Sequence, residues 1–285
     1  MKLTLPCFLS ALLLAACTAA GPNLPPARSV ISLKINGTAR SYILRFPKAY
    51  DGKPDHKLPM VMLLNGANDS AAYAEKAYHF DEKSDQQNFI LVLPDALGDY
   101  HAWDSSGDSD DSKNDLAFLT TLLTDLPKTY AIDPKRVYLA GHSAGAIMTY
   151  RMACEHPELI SAIGIVAGLV GDFPKPMAPV PIIAFHGKLD QTLPYEGMAD
   201  ALIFWAKINR CNPKPTHSEI VKEYVTRDTY TPTDKVGAEM VAYSLDDGNH
   251  MWPGGNKMPG KTIDPVQDIS ATDLMWDFFK AHPRP

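Results

Sequence analysis

Short, nearly continuous apolar runs recur along the chain, and helical patterns occupy several of the intervals between them. The apolar runs span residues 60–64, 89–93, 137–140, 162–166, 182–185 and 240–245. The helical patterns span residues 71–87, 112–125, 144–155, 195–209 and 271–281. A continuous apolar run suits a strand buried on both faces, and strands that alternate with helices are typical of a parallel sheet. We therefore predict an α/β fold with a mostly parallel central sheet and helices on both faces.

The chain ahead of these runs predicts an antiparallel N-terminal hairpin. Residues 30–35 and 40–46 alternate between apolar and polar, and Asn36-Gly37 joins them. Both turn residues tolerate positive φ, which two-residue hairpin turns require. Farther on, Ser112 with Asp115 three residues later predicts a capping box, and Pro127 predicts the end or a kink of that helix.

Composition and the absence of linkers favour a single domain that does not bind nucleic acid. The chain has 285 residues, 45% of them hydrophobic, and a net charge of -6 without a basic run, so the electrostatic footprint of a nucleic-acid binder is missing. No repeat and no long linker follows residue 28, and we assign residues 29–285 to one domain. Cys154 and Cys211 in this domain could form a disulfide or remain free.

The N-terminus predicts export. Lys2 precedes an apolar stretch over residues 3–16, which is too short for a membrane span and suits a secretory signal. Leu14-Ala15-Ala16-Cys17 looks like a bacterial lipobox, so we predict a signal peptide over residues 1–16, lipidation at Cys17 and a Pro- and Gly-containing tether over residues 17–28. The protein would then reach the membrane through its lipid anchor. The alternative is an ordinary signal cut near Ala20.

The motif Gly141-His142-Ser143-Ala144-Gly145 lies directly between a strand pattern and an apolar helix pattern. A nucleophile on a strained strand-to-helix turn needs small flanking residues because the backbone doubles back there, and the helix N-terminus stabilises negative charge. Glycines 141 and 145 meet that need. We therefore predict Ser143 as a nucleophile; the alternative is a structural turn with an inert serine.

A nucleophilic serine needs a histidine base and an acid that orients it, and in this arrangement both follow the serine along the chain. Asp190 lies in a loop just past the run 182–185, and His250 lies on a Gly-rich turn after the last run. We predict Asp190 as the acid and His250 as the base. Asp172 is the alternative acid, and His186 is expected to support the Asp190 loop.

An acyl-transfer site also needs donors for the developing oxyanion. We predict the backbone N–H of Ala144, which follows the nucleophile, and that of Ala67 in the loop after an early strand. No nucleotide-binding or zincin motif is present, and the acidic segment 104–115 misses the calcium-loop spacing and predicts one long solvated loop. We therefore expect neither a cofactor nor a metal.

Ordered motifs along most of the chain after residue 30 match one family pattern. They are residues 40–42, 114–119 and 130–138, the serine motif, residues 151–155, 166–168 and 186–190, Pro194-Tyr195, Trp205 with Cys211, and residues 247–254 and 276–279. On these residues the chain resembles the extracellular polyhydroxybutyrate depolymerase and feruloyl esterase family of the α/β-hydrolase superfamily. The resemblance implies a secreted carboxylic-ester hydrolase with the triad Ser143, Asp190 and His250.

The chain departs from this family at two places. The family usually has His-Gly where this chain has Asn65-Gly66, which bears on the oxyanion hole. The serine motif usually continues with another glycine or an asparagine pair, whereas Ala146 follows here and alters only helix packing.

The ester itself is the least constrained part of the prediction. Trp103 and Trp252 either wall an acyl or aromatic pocket beside Ser143 or pack their loops. An aromatic wall would suit feruloyl-type esters, and short hydroxyalkanoate or acetyl esters would also fit. Two other functions stay open: a catalytically silent surface lipoprotein of hydrolase fold that binds a ligand, and a serine peptidase of the prolyl-oligopeptidase type.

Overall fold

The structure is a computed structural model that describes residues 24–98, 100–107, 109–257 and 264–285. The predicted signal segment 1–16, Cys17 and the predicted tether up to residue 23 lie outside the described residues. The last part of that tether belongs to the folded domain. Arg28 begins the first strand, and the Phe46 N–H donates to the Ala27 carbonyl at 2.8 Å.

The described residues form one sheet of ten strands. In chain order the strands are β1 (Arg28–Ile35), β2 (Thr38–Arg45), β3 (Leu58–Leu64), β4 (Ile90–Pro94), β5 (Ile132–His142), β6 (Ala162–Val166), β7 (Ile182–Gly187), β8 (His217–Lys222), β9 (Val225–Tyr230) and β10 (Met240–Leu245). Their order across the sheet is β1-β2-β4-β3-β5-β6-β7-β10-β9-β8. The strands from β4 to β10 in this order pair in parallel, and antiparallel pairs flank them at both ends.

Six α-helices in the described residues cover the two faces of the sheet. They are α1 (Ala71–Ala77), α2 (Phe80–Gln87), α3 (Asp110–Thr129), α4 (Ala144–Glu155), α5 (Glu196–Ile208) and α6 (Ala271–Ala281). Helices α3, α4 and α5 pack on one face and α1, α2 and α6 on the other. Each face of the sheet has its own hydrophobic core, and consecutive residues of β3 enter different cores. Met62 packs in the core under α3, α4 and α5, and Leu63 packs in the core under α1, α2 and α6. This two-sided burial explains the continuous apolar runs, and the predicted fold class is confirmed. No helix among the described residues has the length and apolarity needed to cross a bilayer.

Two local predictions were wrong. The helical pattern 71–87 is two helices, because His79 adopts a left-handed conformation with φ 58° between them. Helix α3 begins at Asp110, inside the segment predicted as a loop, and Ser109 caps it by accepting the Ser112 N–H at 2.9 Å. The proposed cap Ser112 therefore lies in the first turn. Pro127 lies within the last turn of α3 without ending it there.

A hairpin at one edge of the sheet and the two cysteines of the domain are two further features. The hairpin of β8 and β9, which pairs antiparallel with β10, was not predicted. Cys154 and Cys211 are both free and buried. Burial raises the pKa of the Cys154 thiol to about 12, and such a thiol is a poor nucleophile.

A buried ion pair ties the N-terminal hairpin to α3. Arg40 of β2 is 2% exposed, and its Nη1 donates to Asp115 Oδ1 at 2.6 Å and to Asn114 Oδ1 at 2.8 Å. The other carboxylate oxygen of Asp115 accepts the Asp104 N–H at 2.8 Å. The pair thus also holds the loop that follows β4.

Replacing Arg40 by alanine is expected to lower the free energy of unfolding by roughly 3–5 kcal/mol, because the Asp115 carboxylate would stay buried without its cation. Lys128→Ala removes an exposed pair with Asp125 and should change the free energy by less than about 1 kcal/mol. Urea denaturation followed by circular dichroism measures both. Equal losses in the two variants would contradict the role of the buried pair.

Candidate active site

Ser143 lies on a sharp turn between the end of β5 and the start of α4. Its backbone has φ 52° and ψ -118°, a conformation that costs energy for a residue with a side chain. The turn closes tightly, since a Cβ on Gly141 would stand 2.3 Å from the Gly145 carbonyl oxygen. Such a strained turn between strand and helix is typical of a hydrolase nucleophile.

The three predicted catalytic side chains meet at the carboxyl edge of the sheet. His250 Nε2 lies 2.8 Å from Ser143 Oγ, and His250 Nδ1 lies 2.7 Å from Asp190 Oδ2. The Nδ1 proton can therefore bond the carboxylate, which leaves Nε2 free to accept the serine proton. Asp172 is exposed on the loop after β6, and Asp190 occupies the place beside His250.

The surroundings of Asp190 keep its carboxylate ionised. Burial alone would raise the pKa of Asp190, but hydrogen bonds from His186, His250 and the backbone lower that pKa well below its usual range. Its Oδ1 accepts the N–H groups of Thr192 at 2.8 Å and Leu193 at 2.9 Å. His186 Nε2 lies 3.3 Å from Oδ2 and 2.9 Å from the Leu193 carbonyl. His186 thus contacts the acid and its loop.

The two backbone N–H groups predicted as oxyanion donors belong to Ala144 and Ala67. Ala144 is the first residue of α4, and the first N–H groups of a helix lack an intrahelical acceptor. The N–H of Ala67, in the loop after β3, donates to no acceptor in the part of the chain that the structure describes. That loop approaches the serine turn closely, since a Cβ on Gly145 would stand 2.5 Å from the carbonyl oxygens of Leu64 and Asn65.

The side chain of Asn65 fastens this loop. Its amide nitrogen donates to the carbonyls of Gly66 at 2.9 Å, Asp69 at 2.8 Å and His101 at 3.0 Å. The Trp103 indole N–H donates to the Asn65 carbonyl at 3.1 Å. Trp103 is 5% exposed, so it braces the loop after β3 and offers little surface to a substrate.

Trp252 also lies in the interior. Its side chain is 2% exposed and stacks on Tyr78 with ring centroids 4.3 Å apart. Its indole N–H donates to Thr272 Oγ1 at 3.1 Å. A ring covered in this way cannot wall a pocket, so the structure corrects that interpretation of Trp252 and favours its alternative as a packing residue.

Sequence reasoning missed a cluster that adjoins the triad. His142 turns away from Ser143, and its Nε2 lies 2.8 Å from the His250 carbonyl. Its Nδ1 lies 2.9 Å from Tyr78 Oη, which in turn lies 2.9 Å from Asp69 Oδ2. The one available signal was a histidine at the buried end of a strand, because no local motif marks Tyr78 or Asp69.

Comparisons with known proteins agree with this geometry. Residues 40–192 match the family described as esterase PHB depolymerase. Feruloyl esterase C of Emericella nidulans is 24% identical over 87% of this chain and 86% of its own length. The protein NocK of Nocardia uniformis subsp. tsuyamanensis is 25% identical over 88% of this chain and 81% of its own.

Solved structures show the same fold. An acetyl xylan esterase from Aspergillus awamori superposes with a TM-score of 0.70 at 16% identity, over 88% of this chain and 99% of that one. The family match covers more than half of the chain. The chain therefore belongs to the PHB depolymerase family of esterases, and it is an ester hydrolase with the α/β-hydrolase fold, as its motifs predict.

Proposed function

We propose that the protein hydrolyses carboxylic esters through an acyl-enzyme formed on Ser143. The observation that carries this proposal is the pair of short contacts from His250, one to Ser143 Oγ at 2.8 Å and one to Asp190 Oδ2 at 2.7 Å. A serine on its own is a weak nucleophile, and a hydrogen-bonded histidine held by a carboxylate is what activates it.

In the first half of the reaction His250 Nε2 takes the serine proton while Oγ attacks the ester carbonyl. The N–H groups of Ala67 and Ala144 receive the oxyanion, and the Asp190 carboxylate stabilises the His250 imidazolium. His250 then gives the proton to the departing alcohol, which leaves the acyl group on Ser143. In the second half His250 takes a proton from the water molecule that attacks the acyl-serine. The acyl bond to Ser143 Oγ then breaks, His250 returns the proton to Oγ, and the carboxylic acid leaves.

The family and the relatives support a proposal for the ester class. Feruloyl esterase C and the acetyl xylan esterase are named for esters of small acyl groups, and the family description names a hydroxyalkanoate polymer. We propose feruloyl-type, acetyl or short hydroxyalkanoate esters as substrates. Because Trp103 and Trp252 are buried, neither of them supports an aromatic wall beside the substrate.

We also propose that the protein is exported and attached to a bacterial membrane by a lipid on Cys17. The support is in the sequence: Lys2, the apolar stretch over residues 3–16 and Leu14-Ala15-Ala16-Cys17 are typical of a lipoprotein signal. The folded domain begins at β1, within a few residues of the predicted tether's end.

Ser143→Ala is expected to lower kcat by about 10⁶-fold, because the variant cannot form the acyl-enzyme. Turnover of p-nitrophenyl acetate, methyl ferulate and a hydroxybutyrate oligomer would measure this loss and rank the esters. A fluorophosphonate probe should label the wild type and not the variant. Ser218→Ala, on exposed β8, is the matched control. Equal labelling of Ser143→Ala would refute the nucleophile. A wild type that is labelled but hydrolyses no ester would favour a peptidase, and one that is neither labelled nor active would favour a binding protein.

Asp190→Asn is expected to lower kcat by roughly 10⁴-fold, since an amide cannot hold His250 in the required tautomer. Because folding lowers the pKa of Asp190, its carboxylate stabilises the protein above the ordinary carboxyl pKa of about 3.9, and that stabilisation is lost as pH falls. The difference in unfolding free energy between wild type and variant should therefore be constant near neutral pH and shrink in acid.

Asp172→Asn is the matched control for Asp190→Asn, because Asp172 is exposed and lies on the neighbouring loop. It should leave both kcat and the pH dependence of stability unchanged. The assignment of Asp190 would be wrong if Asp172→Asn caused the larger loss of kcat.

Cys17→Ser is expected to abolish lipidation in a bacterial host that processes lipoproteins. The wild type should partition into the detergent phase and carry the added mass of the lipid at its N-terminus, and the variant should stay in the aqueous phase. Cys7→Ser lies inside the predicted signal segment and serves as the control. A wild-type N-terminus beyond residue 17 would contradict the anchor.

A further inference from the structure

Three buried polar side chains stand directly behind the triad and take no part in the acyl-transfer steps. Asp69 is 4% exposed, Tyr78 is 2% exposed and His142 is 1% exposed. They form one chain of contacts: Asp69 Oδ2 to Tyr78 Oη at 2.9 Å, Tyr78 Oη to His142 Nδ1 at 2.9 Å, and His142 Nε2 to the His250 carbonyl at 2.8 Å.

The contacts between Asp69, Tyr78, His142 and the His250 carbonyl require one proton more than these groups would ordinarily carry. The His250 carbonyl can only accept, so His142 must carry its proton on Nε2. The two contacts of Tyr78 Oη each need one proton between the paired atoms, and the phenol supplies one. The other must come from Asp69 or from His142 Nδ1. Asp69, Tyr78 and His142 together therefore hold one proton more than they would with an ionised carboxylate and a neutral imidazole.

We infer that Asp69 is a protonated carboxylic acid that donates to Tyr78. The resulting neutral Asp69–Tyr78–His142 relay positions the catalytic His250 against the loop after β3, which carries the proposed oxyanion donor Ala67. The functional half of this inference rests on the proposed roles of Ser143 and His250. The protonation half rests on the hydrogen-bond geometry and on the burial of His142.

The surroundings of His142 favour the neutral imidazole. Burial, followed by the nearby His250, lowers the pKa of His142 to about 3, against smaller opposing effects of the His250 carbonyl and Asp190. The rings of His142 and His250 have centroids 5.2 Å apart. A cation on His142 would repel the imidazolium that forms on His250 during catalysis, whereas a neutral relay does not. Tyr73 packs edge-on against Tyr78 from α1 and adds no charge.

The relay touches both halves of the active site. On one side it holds the His250 carbonyl, and Tyr78 stacks on Trp252 two residues farther along the same loop. On the other side, a Cβ on Gly66 would stand 2.8 Å from His142 Nδ1, so the loop after β3 packs directly on the relay. Asp69 also belongs to that loop, and its N–H donates to the Gly66 carbonyl at 3.2 Å.

Infrared spectroscopy tests the protonation directly. The difference spectrum of wild type minus Asp69→Asn should contain the carbonyl stretch of a protonated carboxylic acid at neutral pH, with a shift in D₂O. A carboxylate band in its place would overturn the inference. The spectrum does not depend on turnover and can be repeated in the Ser143→Ala background, so its result is separate from the success or failure of the proposed function.

Kinetics test the positioning role. Tyr78→Phe keeps the ring on Trp252 but removes the bridging hydroxyl, and it should lower kcat roughly 10- to 100-fold with KM nearly unchanged, because a misplaced base slows the chemical step. Asp69→Asn should retain the wild-type kcat, since its amide can donate to Tyr78 Oη as the acid does. Asp69→Leu offers no donor and should resemble Tyr78→Phe.

Tyr73→Phe is the matched control, because this neighbouring hydroxyl is buried without a hydrogen-bond partner among the described residues. It should leave kcat unchanged. A loss in Asp69→Asn as large as that in Tyr78→Phe would overturn the neutral-acid relay, and an unchanged kcat in Tyr78→Phe at wild-type stability would overturn its positioning role.

Discussion

The active site depends on how closely backbone can approach backbone at the serine turn. Ser143 alone separates the end of β5 from the start of α4, and at Gly141 and Gly145 any side chain would collide with backbone carbonyl groups. This close contact accompanies the positive φ of 52° at Ser143, and it brings the loop after β3 against the first turn of α4. The same close packing therefore positions both the proposed nucleophile and the proposed oxyanion donors.

Asp190 and His250, the proposed acid and base, meet because of strand pairing rather than proximity in the chain. Asp190 and His250 are separated by 60 positions, but β7 and β10 pair in parallel up to Gly187 and Leu245. The two loops stay together beyond the strands, since the Leu189 N–H donates to the Gly248 carbonyl at 2.8 Å. Parallel pairing brings the two following loops to the same edge of the sheet, where the candidate site lies.

The parts of the fold that the sequence predicted are those where burial alone decides the pattern. β6 and β10 were predicted residue for residue because nearly every position in them is buried. β8 was missed because its residues alternate between exposed and half-buried at the sheet edge, so only pairing with β9 reveals it. The same limit applies to Trp252. An indole after a catalytic loop suits a pocket wall and a core equally well, and the three-dimensional position of Tyr78 decides between them.

Asn65 shows how a departure from a family pattern can leave the chemistry intact. Its amide hydrogens point to backbone carbonyls of the loops after β3 and β4, so the side chain shapes these loops and does not face the serine as a donor. The oxyanion donors we propose are backbone N–H groups, and a backbone group does not depend on which side chain stands at position 65. What that side chain must do is hold the loop against α4. An amide bound to three carbonyls meets this requirement with no change in charge, whereas a charged group would have to be desolvated at a fully buried position.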